Sequence, residues 1–316
     1  MDSQLDTDNA KTGSVTAPNQ ICIAAILTCH NRKNTTLACL FALVAQKLPS
    51  SVTVDIYLVD DGSTDGTSIA VRKTFPQARV LNGSGMLYWS GGMRIAYDEA
   101  MKGNYDFYLW LNDDTLLDPD AVSNLLKGYG DMSRENDNRA IIVGSTREPE
   151  TGCLSYGGSV RVNRWHPLKF APVVPKQNPQ PCDTFCGNCV LISHRAAKRL
   201  GNLDPTFIHH MGDTDYGLRA RKADIPVWVA SGFVGVCAPN ALGHFHRDAT
   251  RPLAKRLSWL FGVKCLPLRE WMTFTRRHAG PMWWIFFMLP YARLLAEILL
   301  ADIRHLMNAR KHDGPA

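Results

Sequence analysis

Apolar and polar positions alternate along the chain in blocks that predict strands and helices in turn. Ile21–Leu27 is a continuous apolar run, typical of a strand buried on both faces, and the mostly apolar segments Val52–Val59, Ala78–Leu81 and Asp106–Leu111 also predict strands. The segments after the first three runs predict helices from Asn34 to about Gln46, up to Phe75, and from about Gly92 to Met101. Strands that alternate with helices of this length indicate βαβ units, an α/β fold and a parallel sheet.

Polar clusters follow three of these predicted strands. They are Thr28–Arg32, the glycine-containing loop Asp60–Thr67, and Asn112-Asp113-Asp114. The carboxyl ends of parallel strands share one edge of the sheet, where ligands bind in open α/β folds. The sequence therefore predicts a ligand site assembled from loops at this edge. A dinucleotide site is not indicated, because no G-x-G-x-x-G opens the first helix.

The adjacent carboxylates of Asp113 and Asp114 need a counter-charge, because like charges at the end of an apolar strand repel one another. A divalent cation that also holds a phosphorylated substrate suits such a place, since hard cations prefer oxygen ligands. The alternative is a plain strand-to-helix turn, in which Asp118-Pro119-Asp120 caps the next helix.

Five segments in this order resemble the family 2 glycosyltransferases, which have the GT-A fold. They are the Thr28–Arg32 strand end, VDDGSTDGT at Val59–Thr67, Asn112-Asp113-Asp114 in place of D-x-D, GNCVLISHRAAKRLGNLD at Gly187–Asp204, and MGDTDYGLRAR at Met211–Arg221. The resemblance covers roughly residues 21–247. It implies a Rossmann-like mixed sheet flanked by helices, with a C-terminal helical extension. Within the family the chain is most similar to rhamnosyl- and galactofuranosyltransferases that extend bacterial surface glycans.

The resemblance also implies a donor site for a UDP- or dTDP-sugar. Asp60 and Asp61 match the acidic pair that contacts the base and ribose of the donor. The other positions that it places at the donor are Thr28, Asn31, Arg32, Gly91, Gly92, Arg94, Asn112 and Asp113.

For the metal and the base, the resemblance again names positions. Asp114 matches the last D-x-D carboxylate, the main ligand of Mg²⁺ or Mn²⁺, and Asn112 replaces the first. His244 matches a histidine that completes the metal shell, with His246 as the alternative if the register shifts. Asp213 matches the general base. Because Gly212 stands where the family has Glu, Asp215 remains an alternative base, although it also fits simple complementarity to the helix dipole.

The chemistry is consistent with these roles. Displacement of a nucleoside diphosphate needs charge stabilisation on the leaving phosphates, which a divalent ion supplies, and a base for the acceptor hydroxyl. The expected reaction is inverting transfer of a sugar to a glycan acceptor, itself expected to be lipid-linked. The alternatives are a nucleotidyltransferase that makes nucleotide sugars, and a non-catalytic membrane-associated scaffold. The first usually has a glycine-rich loop after its first strand, and Thr28–Arg32 has no glycine.

Charge is distributed unevenly along the 316 residues, of which 45% are hydrophobic and 20% charged. From Arg247 to Ala316 there are 12 Lys and Arg against 5 Asp and Glu, a net +7, so the rest carries 6 − 7 = −1. This asymmetry indicates an anionic partner for the C-terminal part. No nucleic-acid-binding motif accompanies it, so a membrane surface is favoured over nucleic acid.

The segment 250–316 is expected to form helices, at Leu253–Gly262, Leu266–Arg277 and Pro281–Ala301. The last is strongly apolar, but Pro290, Arg293 and Glu297 interrupt it, which makes it a poor transmembrane span. Tryptophans beside arginines suit a helix in the interface plane. The alternative is a helix hairpin packed on the catalytic domain or on a second subunit, which would make a homo-oligomer.

The remaining segments set the expected domain limits. Residues 1–20 are polar and predict a disordered tail, and residues 21–249 form the expected catalytic domain. The six-proline segment Glu148–Pro181 is expected to be an irregular loop over the acceptor site. Nine cysteines, an odd number within apolar segments, indicate a reduced, cytoplasmic chain. Zinc at Cys182, Cys186, Cys189 and His194 is not favoured, because Cys186–Ser193 has the pattern of a buried strand.

Overall fold

The computed structural model describes residues 20–132, 137–240 and 248–312. Its strands are β1 Ile21–Cys29, β2 Val52–Asp60, β3 Arg79–Asn82, β4 Phe107–Leu111, β5 Leu116–Leu117, β6 Ile141–Arg147, β7 Leu154–Tyr156, β8 Gly158–Arg161, β9 Phe170–Pro172, β10 Gln180–Pro181, β11 Thr184–Phe185, β12 Cys189–Ser193 and β13 Val227–Val236. Its helices are α1 Lys33–Val44, α2 Thr67–Thr74, α3 Tyr88–Ala100, α4 Ala121–Met132, α5 His194–Leu200, α6 Gly212–Lys222, α7 Leu253–Leu260, α8 Leu268–His278 and α9 Trp283–His312.

Residues 21–236 contain one large mixed sheet, with the strand order β10-β13-β6-β12-β4-β1-β2-β3. Strands β4, β1, β2 and β3 pair in parallel, as their alternation with helices predicts. Strand β12 runs antiparallel between β4 and β6 and makes the sheet mixed. Its amino end therefore lies beside the carboxyl end of β4, where Cys189 pairs with Leu111. Loops from both directions of the chain meet at that edge.

Helices cover both faces of the sheet. Side chains of α1, α2 and α4 pack in one buried cluster with β1 and β2, and side chains of α3, α5 and α6 pack in another on the opposite face. Strand β4 lies in the middle, and all five of its residues are buried. The apolar run that ends at Leu111 is thus buried because it has a helix layer on each side.

Three segments differ from the sequence expectations. Helix α3 begins at Tyr88, four residues before the expected start. Tyr88 has a left-handed φ of 53°, and the pattern of apolar residues does not predict such a backbone angle. The segment Glu148–Pro181 is not simply irregular, because it contains β7 to β10. Two of these, β8 and β9, form a small second sheet with β11. Helix α9 continues to His312, well beyond Ala301.

The C-terminal helices contact α6 through the buried carboxylate of Asp215. Its Oδ1 accepts from Arg277 Nη1 at 2.6 Å and His278 Nε2 at 2.8 Å, both in α8, and its Oδ2 accepts from Arg219 Nε at 2.8 Å. Arg277 also bonds to Asp204 Oδ2 at 2.7 Å. Asp215 has no exposed surface. The ion pairs therefore hold α8 against the turn that begins α6.

Burial opposes ionisation of Asp215, but its partners outweigh this effect. Desolvation raises the pKa, while the hydrogen bond from His278 and the charges of Arg219 and Arg277 lower it, and the net pKa lies below the usual value. A lowered pKa in the folded state means that Asp215 contributes stability above its unfolded pKa, about 4. That contribution is lost as the pH falls through the folded pKa.

We expect Asp215→Asn to lower the free energy of unfolding at pH 7 by about 2 kcal/mol. The cost is smaller than the roughly 3–5 kcal/mol of breaking a fully buried pair, because Arg219 and Arg277 keep some solvent contact. Denaturant unfolding measures it, with Asp98→Asn, an exposed carboxylate of α3, as the matched control. The difference from wild type should shrink below about pH 4, as the wild-type carboxylate becomes protonated. A pH-independent difference would show that the ion pairs do not stabilise the fold.

Candidate active site

The three polar clusters predicted from the sequence meet at the carboxyl edge of the sheet. Asn31 ties the first to the second, since its N–H donates to Ser63 Oγ at 2.8 Å and its Oδ1 accepts from Thr64 N at 2.7 Å. Arg32 ties the first to the third through Asp113 and Asp114. The prediction that these strand ends form one edge is confirmed.

Asp60 and Asp61 are both buried and organise the loops around them. Asp60 Oδ1 accepts from Ser63 N at 2.9 Å. The Asp61 carboxylate accepts three backbone N–H groups, from Gly85 at 2.7 Å, Leu87 at 2.9 Å and Tyr88 at 3.0 Å. The loop that leads into α3 is therefore shaped by Asp61, whereas Asp60 Oδ2 has no bond to any residue that the structure describes.

Glycines bring α3 close to its neighbours. A Cβ at Gly92 would lie 2.0 Å from Thr28 Oγ1, so helix and strand β1 touch directly there. Gly91 N donates to Ile208 O at 3.3 Å and so faces the loop before α6. The Arg94 side chain makes no hydrogen bond or ion pair with the described part of the chain. These contacts give Thr28, Gly91 and Gly92 a packing role.

Arg32 supplies the counter-charge that the sequence led us to expect from a metal ion. Its Nη1 lies 2.7 Å from Asp114 Oδ2 and 3.3 Å from Asp113 Oδ1. Asp113 is buried, and its Oδ2 accepts from Thr36 Oγ1 at 3.2 Å. Burial raises the pKa of Asp113 to about 6 against the opposing charge of Arg32. Asp114 is more exposed, and its Oδ1 lies 3.5 Å from Cys237 Sγ.

Trp89 connects this acidic pair to the opposite side of the site. Its Nε1 donates to Asn112 Oδ1 at 2.7 Å, so that amide oxygen already has a partner. The indole ring also packs on Gly187, where an added Cβ would be only 2.4 Å from Trp89 Cζ2. Gly187 N in turn donates to Asp213 Oδ2 at 2.9 Å. Trp89 thus lies between Asn112, the neighbour of the acidic pair, and Gly187, which holds Asp213.

Asp213 and Asp215 have different environments although both lie in the first turn of α6. Asp213 is partly exposed, and its Oδ1 accepts from Thr214 N at 2.7 Å. Burial raises the pKa of the Asp213 carboxyl despite the backbone N–H groups of Gly187 and Thr214, which lower it. Asp215 is enclosed by its ion pairs with α6 and α8, away from solvent. Of these two carboxylates, that of Asp213 reaches solvent and that of Asp215 does not.

The departure at Gly212 has a packing explanation. A Cβ at position 212 would lie 2.5 Å from Ser90 Oγ, and Ser90 is fully buried in α3. A glutamate there would displace α3 from the turn that begins α6. The close approach of these two helices brings Trp89 and Asp213 together.

The predicted metal ligands lie only partly within the described residues. His244 and His246 lie in 241–247, outside them. Among the residues that the structure describes, no group of three or more His, Cys, Asp or Glu side chains is placed to hold a metal ion. Cys182, Cys186, Cys189 and His194, which are all described, therefore do not form such a group. A cleft of about 350 Å³ beside Asp114, lined also by Thr35, Leu116 and Cys237, leaves space at the acidic pair.

A larger cavity, of about 700 Å³, lies at the other end of the sheet, around Ile21, Phe107 and His194. It is far from the polar strand ends and brings no acidic cluster together.

Two residues of the candidate site escaped the sequence analysis. Thr36 and Cys237 carry no motif, and only tertiary contact places them against the acidic pair. The bond from Trp89 to Asn112 is likewise a tertiary contact that no motif predicts.

Comparisons with known proteins agree with this geometry. The family model for glycosyl transferase family 2 matches residues 24–201. The N-acetylglucosaminyl-diphospho-decaprenol L-rhamnosyltransferase of Mycobacterium tuberculosis is 25% identical over 268 residues, which are 77% of this chain and 80% of that protein.

Two solved structures share the fold. A mannosyltransferase from Pyrobaculum calidifontis, in complex with GDP-Man and Mn²⁺, has a TM-score of 0.51 and 17% identity over 93% of this chain and 76% of its own. GalNAc-T7 with UDP, GalNAc and Mn²⁺ has a TM-score of 0.51 and 11% identity over 78% of this chain and 50% of its own. These likenesses confirm the GT-A fold. The expectation of a glycosyltransferase is confirmed over the nucleotidyltransferase and scaffold alternatives, since the family match spans more than half of the chain: the protein belongs to glycosyl transferase family 2.

Proposed function

We propose that the protein is an inverting, metal-dependent glycosyltransferase that moves a sugar from a UDP- or dTDP-sugar to a lipid-linked glycan. The observation that carries this proposal is a chain of contacts: Trp89 bonds to Asn112, beside the Asp113–Asp114 pair, and packs on Gly187, which bonds to Asp213. A single displacement needs a cation-binding group on the side of the leaving phosphates and a base on the opposite side. The two sets of carboxylates supply these groups.

On the donor side, Asp60 binds the nucleoside. Its Oδ2 is the acceptor left over at the carboxyl end of β2, and a ribose hydroxyl or a base N–H is a suitable donor to it. Asp61 acts indirectly, because its carboxylate is already occupied by the three N–H groups of the loop into α3. Arg32 lies at Asp113 and Asp114 and binds the diphosphate, for which a guanidinium is a good partner.

The residues present fit a divalent cation at Asp114. Its carboxylate is partly exposed beside an open cleft, and an oxygen donor set completed by phosphate and water suits Mg²⁺ or Mn²⁺. When bound, the ion stabilises negative charge on the leaving diphosphate. Arg32 now neutralises Asp114, so it must release Oδ2 before the ion binds. Asn112 is a poorer ligand, because its Oδ1 accepts from Trp89, and we keep His244 or His246 as the further ligand.

On the acceptor side, Asp213 is the base. Backbone N–H groups of Gly187 and Thr214 hold one oxygen each, which fixes the carboxylate plane. Oδ1 also accepts from Thr214 Oγ1 at 3.4 Å, so Oδ2 keeps the free lone pair. Partial burial raises its pKa toward the operating pH, which improves proton transfer in general base catalysis. Trp89 forms the floor between the base and Asn112, where the transferred sugar would stack.

The acceptor class and the location rest on weaker similarity. The mycobacterial relative is named for a diphospho-decaprenol acceptor, and we propose an acceptor of that chemistry, a saccharide on a lipid diphosphate. The nine free cysteines and the basic C-terminal part are consistent with a cytoplasmic enzyme that works peripherally on the membrane. Its product would belong to a cell-surface polysaccharide. The structure holds a single chain, so homo-oligomer formation stays a prediction.

Asp114→Asn should weaken metal-dependent donor binding by at least about tenfold, because it removes the charged ligand and keeps the side-chain volume. Calorimetric titration of UDP- and dTDP-sugars with Mn²⁺ and with EDTA measures this. Asp120→Asn, at an exposed aspartate nearby, is the matched control. If the variant binds donor as wild type does and EDTA has no effect on either protein, the metal is wrongly placed.

Arg32→Ala should strengthen Mn²⁺ binding to the donor-free protein by a few-fold, because it frees Asp114 from an ion pair worth up to about 1 kcal/mol. The same change should weaken donor binding, since the diphosphate loses a cationic partner. Mn²⁺ titration followed by electron paramagnetic resonance reports the first effect, with Lys73→Ala as control. Weaker Mn²⁺ binding by the variant would mean that Arg32 holds Asp114 in place for the ion.

Asp213→Asn should lower kcat by at least about 10² with donor affinity near wild type, because a base acts in the transition state. The wild-type rate should fall as the pH drops through the raised pKa of Asp213, since only the carboxylate accepts a proton. The variant should lack this limb. Pre-steady-state and steady-state assays over a pH series measure both. The assignment is wrong if Asp215→Asn, when folded, reproduces this pattern and Asp213→Asn does not.

A further inference from the structure

Helix α9 presents an uncovered apolar face. Eight large apolar side chains on it are between 44% and 61% exposed, namely Trp284, Met288, Leu289, Leu295, Leu299, Leu300, Ile303 and Met307. At 3.6 residues per turn they occupy one continuous arc of about 160°. Charged residues between Trp284 and Arg304 lie at its borders or behind it: Arg293 and Arg304 at one edge, Asp302 at the other, Glu297 behind. Such an extended apolar surface indicates a binding face.

The opposite face of α9 is fixed to the protein. Tyr291 and Ile298 are buried, and Tyr291 OH donates to Leu266 O at 3.0 Å. Trp271 Nε1, in α8, donates to Phe287 O at 3.1 Å. Asp302 pairs with Arg256 of α7. The helix is thus a half-buried element of a three-helix unit, and only the arc that contains Leu295 and Leu299 is left to bind a partner.

Trp283–Arg304 is long and apolar enough to cross a membrane, with a mean hydropathy of 1.6. Crossing would, however, break the contacts of Tyr291, Phe287 and Asp302 with α7, α8 and the connection between them. It would also place Arg293, Glu297 and Asp302 in hydrocarbon, where charged groups are costly. A helix that lies in the interface plane keeps all of these contacts and buries only the apolar arc.

The charges around the arc favour an anionic lipid surface over a second copy of the chain. Exposed basic residues of the same unit include Lys255, Lys264, Arg269, Arg276, Arg293 and Arg304. Its described acidic groups are buried or paired: Glu270 is buried and accepts from Ile208 N at 3.1 Å, Asp302 pairs with Arg256, and Glu297 pairs with Arg293. Two copies joined through α9 would bring like charges together. Anionic headgroups attract them.

We infer that the exposed arc of α9 from Trp284 to Met307 docks in the plane of an anionic bilayer surface. Helix α8 connects this arc to the catalytic cleft, because its Arg277 and His278 hold Asp215, two residues from Asp213. On the proposed function, on which this last step rests, docking places the base side of the cleft near the lipid that anchors the acceptor. The partner is therefore the membrane in which the acceptor is embedded.

Co-sedimentation of the full-length protein with vesicles tests this inference. Vesicles of phosphatidylcholine containing phosphatidylglycerol should bind it at low salt, and pure phosphatidylcholine should bind it more weakly. Leu295→Gln/Leu299→Gln should lower the partition coefficient at least about tenfold at any salt concentration, since two exposed leucines no longer enter the apolar phase. Arg293→Gln/Arg304→Gln should lower it by about tenfold at low salt and little at high salt.

Matched controls lie on α2, away from the C-terminal unit. Ile69→Gln removes an apolar side chain that is 76% exposed, and Lys73→Gln removes an exposed charge. Both should bind vesicles as wild type does. All variants should keep wild-type donor hydrolysis, a readout that separates loss of docking from loss of folding. Vesicle binding without any turnover of nucleotide sugars would refute the proposed function and leave the docking face standing.

Three results would overturn the inference. The first is no binding of wild type to anionic vesicles at low salt. The second is a wild-type dimer in sedimentation velocity that Leu295→Gln/Leu299→Gln converts to monomers, which would make the arc a subunit interface. The third is retention in the bilayer after an alkaline carbonate wash, which would show that α9 spans the membrane. Release by carbonate, together with the expected partition changes, supports docking in the plane.

Discussion

Carboxylates gathered at one edge of the sheet repel one another, and each needs its own compensation for the fold to exist. Asp61 is compensated by three backbone N–H groups, Asp113 by Arg32 and Thr36, and Asp213 by Gly187 and Thr214. These hydrogen bonds shape the loops, because each carboxylate fixes the backbone that donates to it. The acidic character of this edge and the geometry of its loops therefore have one origin.

Much of this edge could be predicted from the sequence because it depends on local pattern. The apolar run before Asn112 predicts a buried strand, and the polar residues directly after such runs must meet when the strands are parallel. Contacts made by segments distant in the chain could not be predicted in this way. Thr36 lies 77 residues before Asp113 and Cys237 lies 123 residues after Asp114. Neither belongs to a motif, and only the fold places them beside the acidic pair.

The choice between Asp213 and Asp215 shows the same limit at a single turn of helix. Positions two residues apart differ by about 200° around the axis of an α-helix, so the two side chains point in nearly opposite directions. One then faces the cleft and the other the protein, but the sequence of α6 does not show which. The deciding partners, Arg277 and His278, lie 62 and 63 residues downstream in a helix that the charge pattern assigned to a separate C-terminal region. Burial with those partners makes Asp215 structural.

The C-terminal helices consequently form no detachable appendage. Helix α8 contributes Arg277 and His278 to α6 on one side and Trp271 to α9 on the other. Helix α9 is therefore connected through α8 to the turn that holds Asp213, because α9 bonds to α8 and α8 bonds to α6. Helix α9 itself leaves almost half of its circumference apolar and uncovered. A helix that served only to pack on the protein would have polar residues on its exposed face. The asymmetry of α9, tied to the protein on one face and bare on the other, follows if the enzyme must hold its base close to a substrate anchored in lipid.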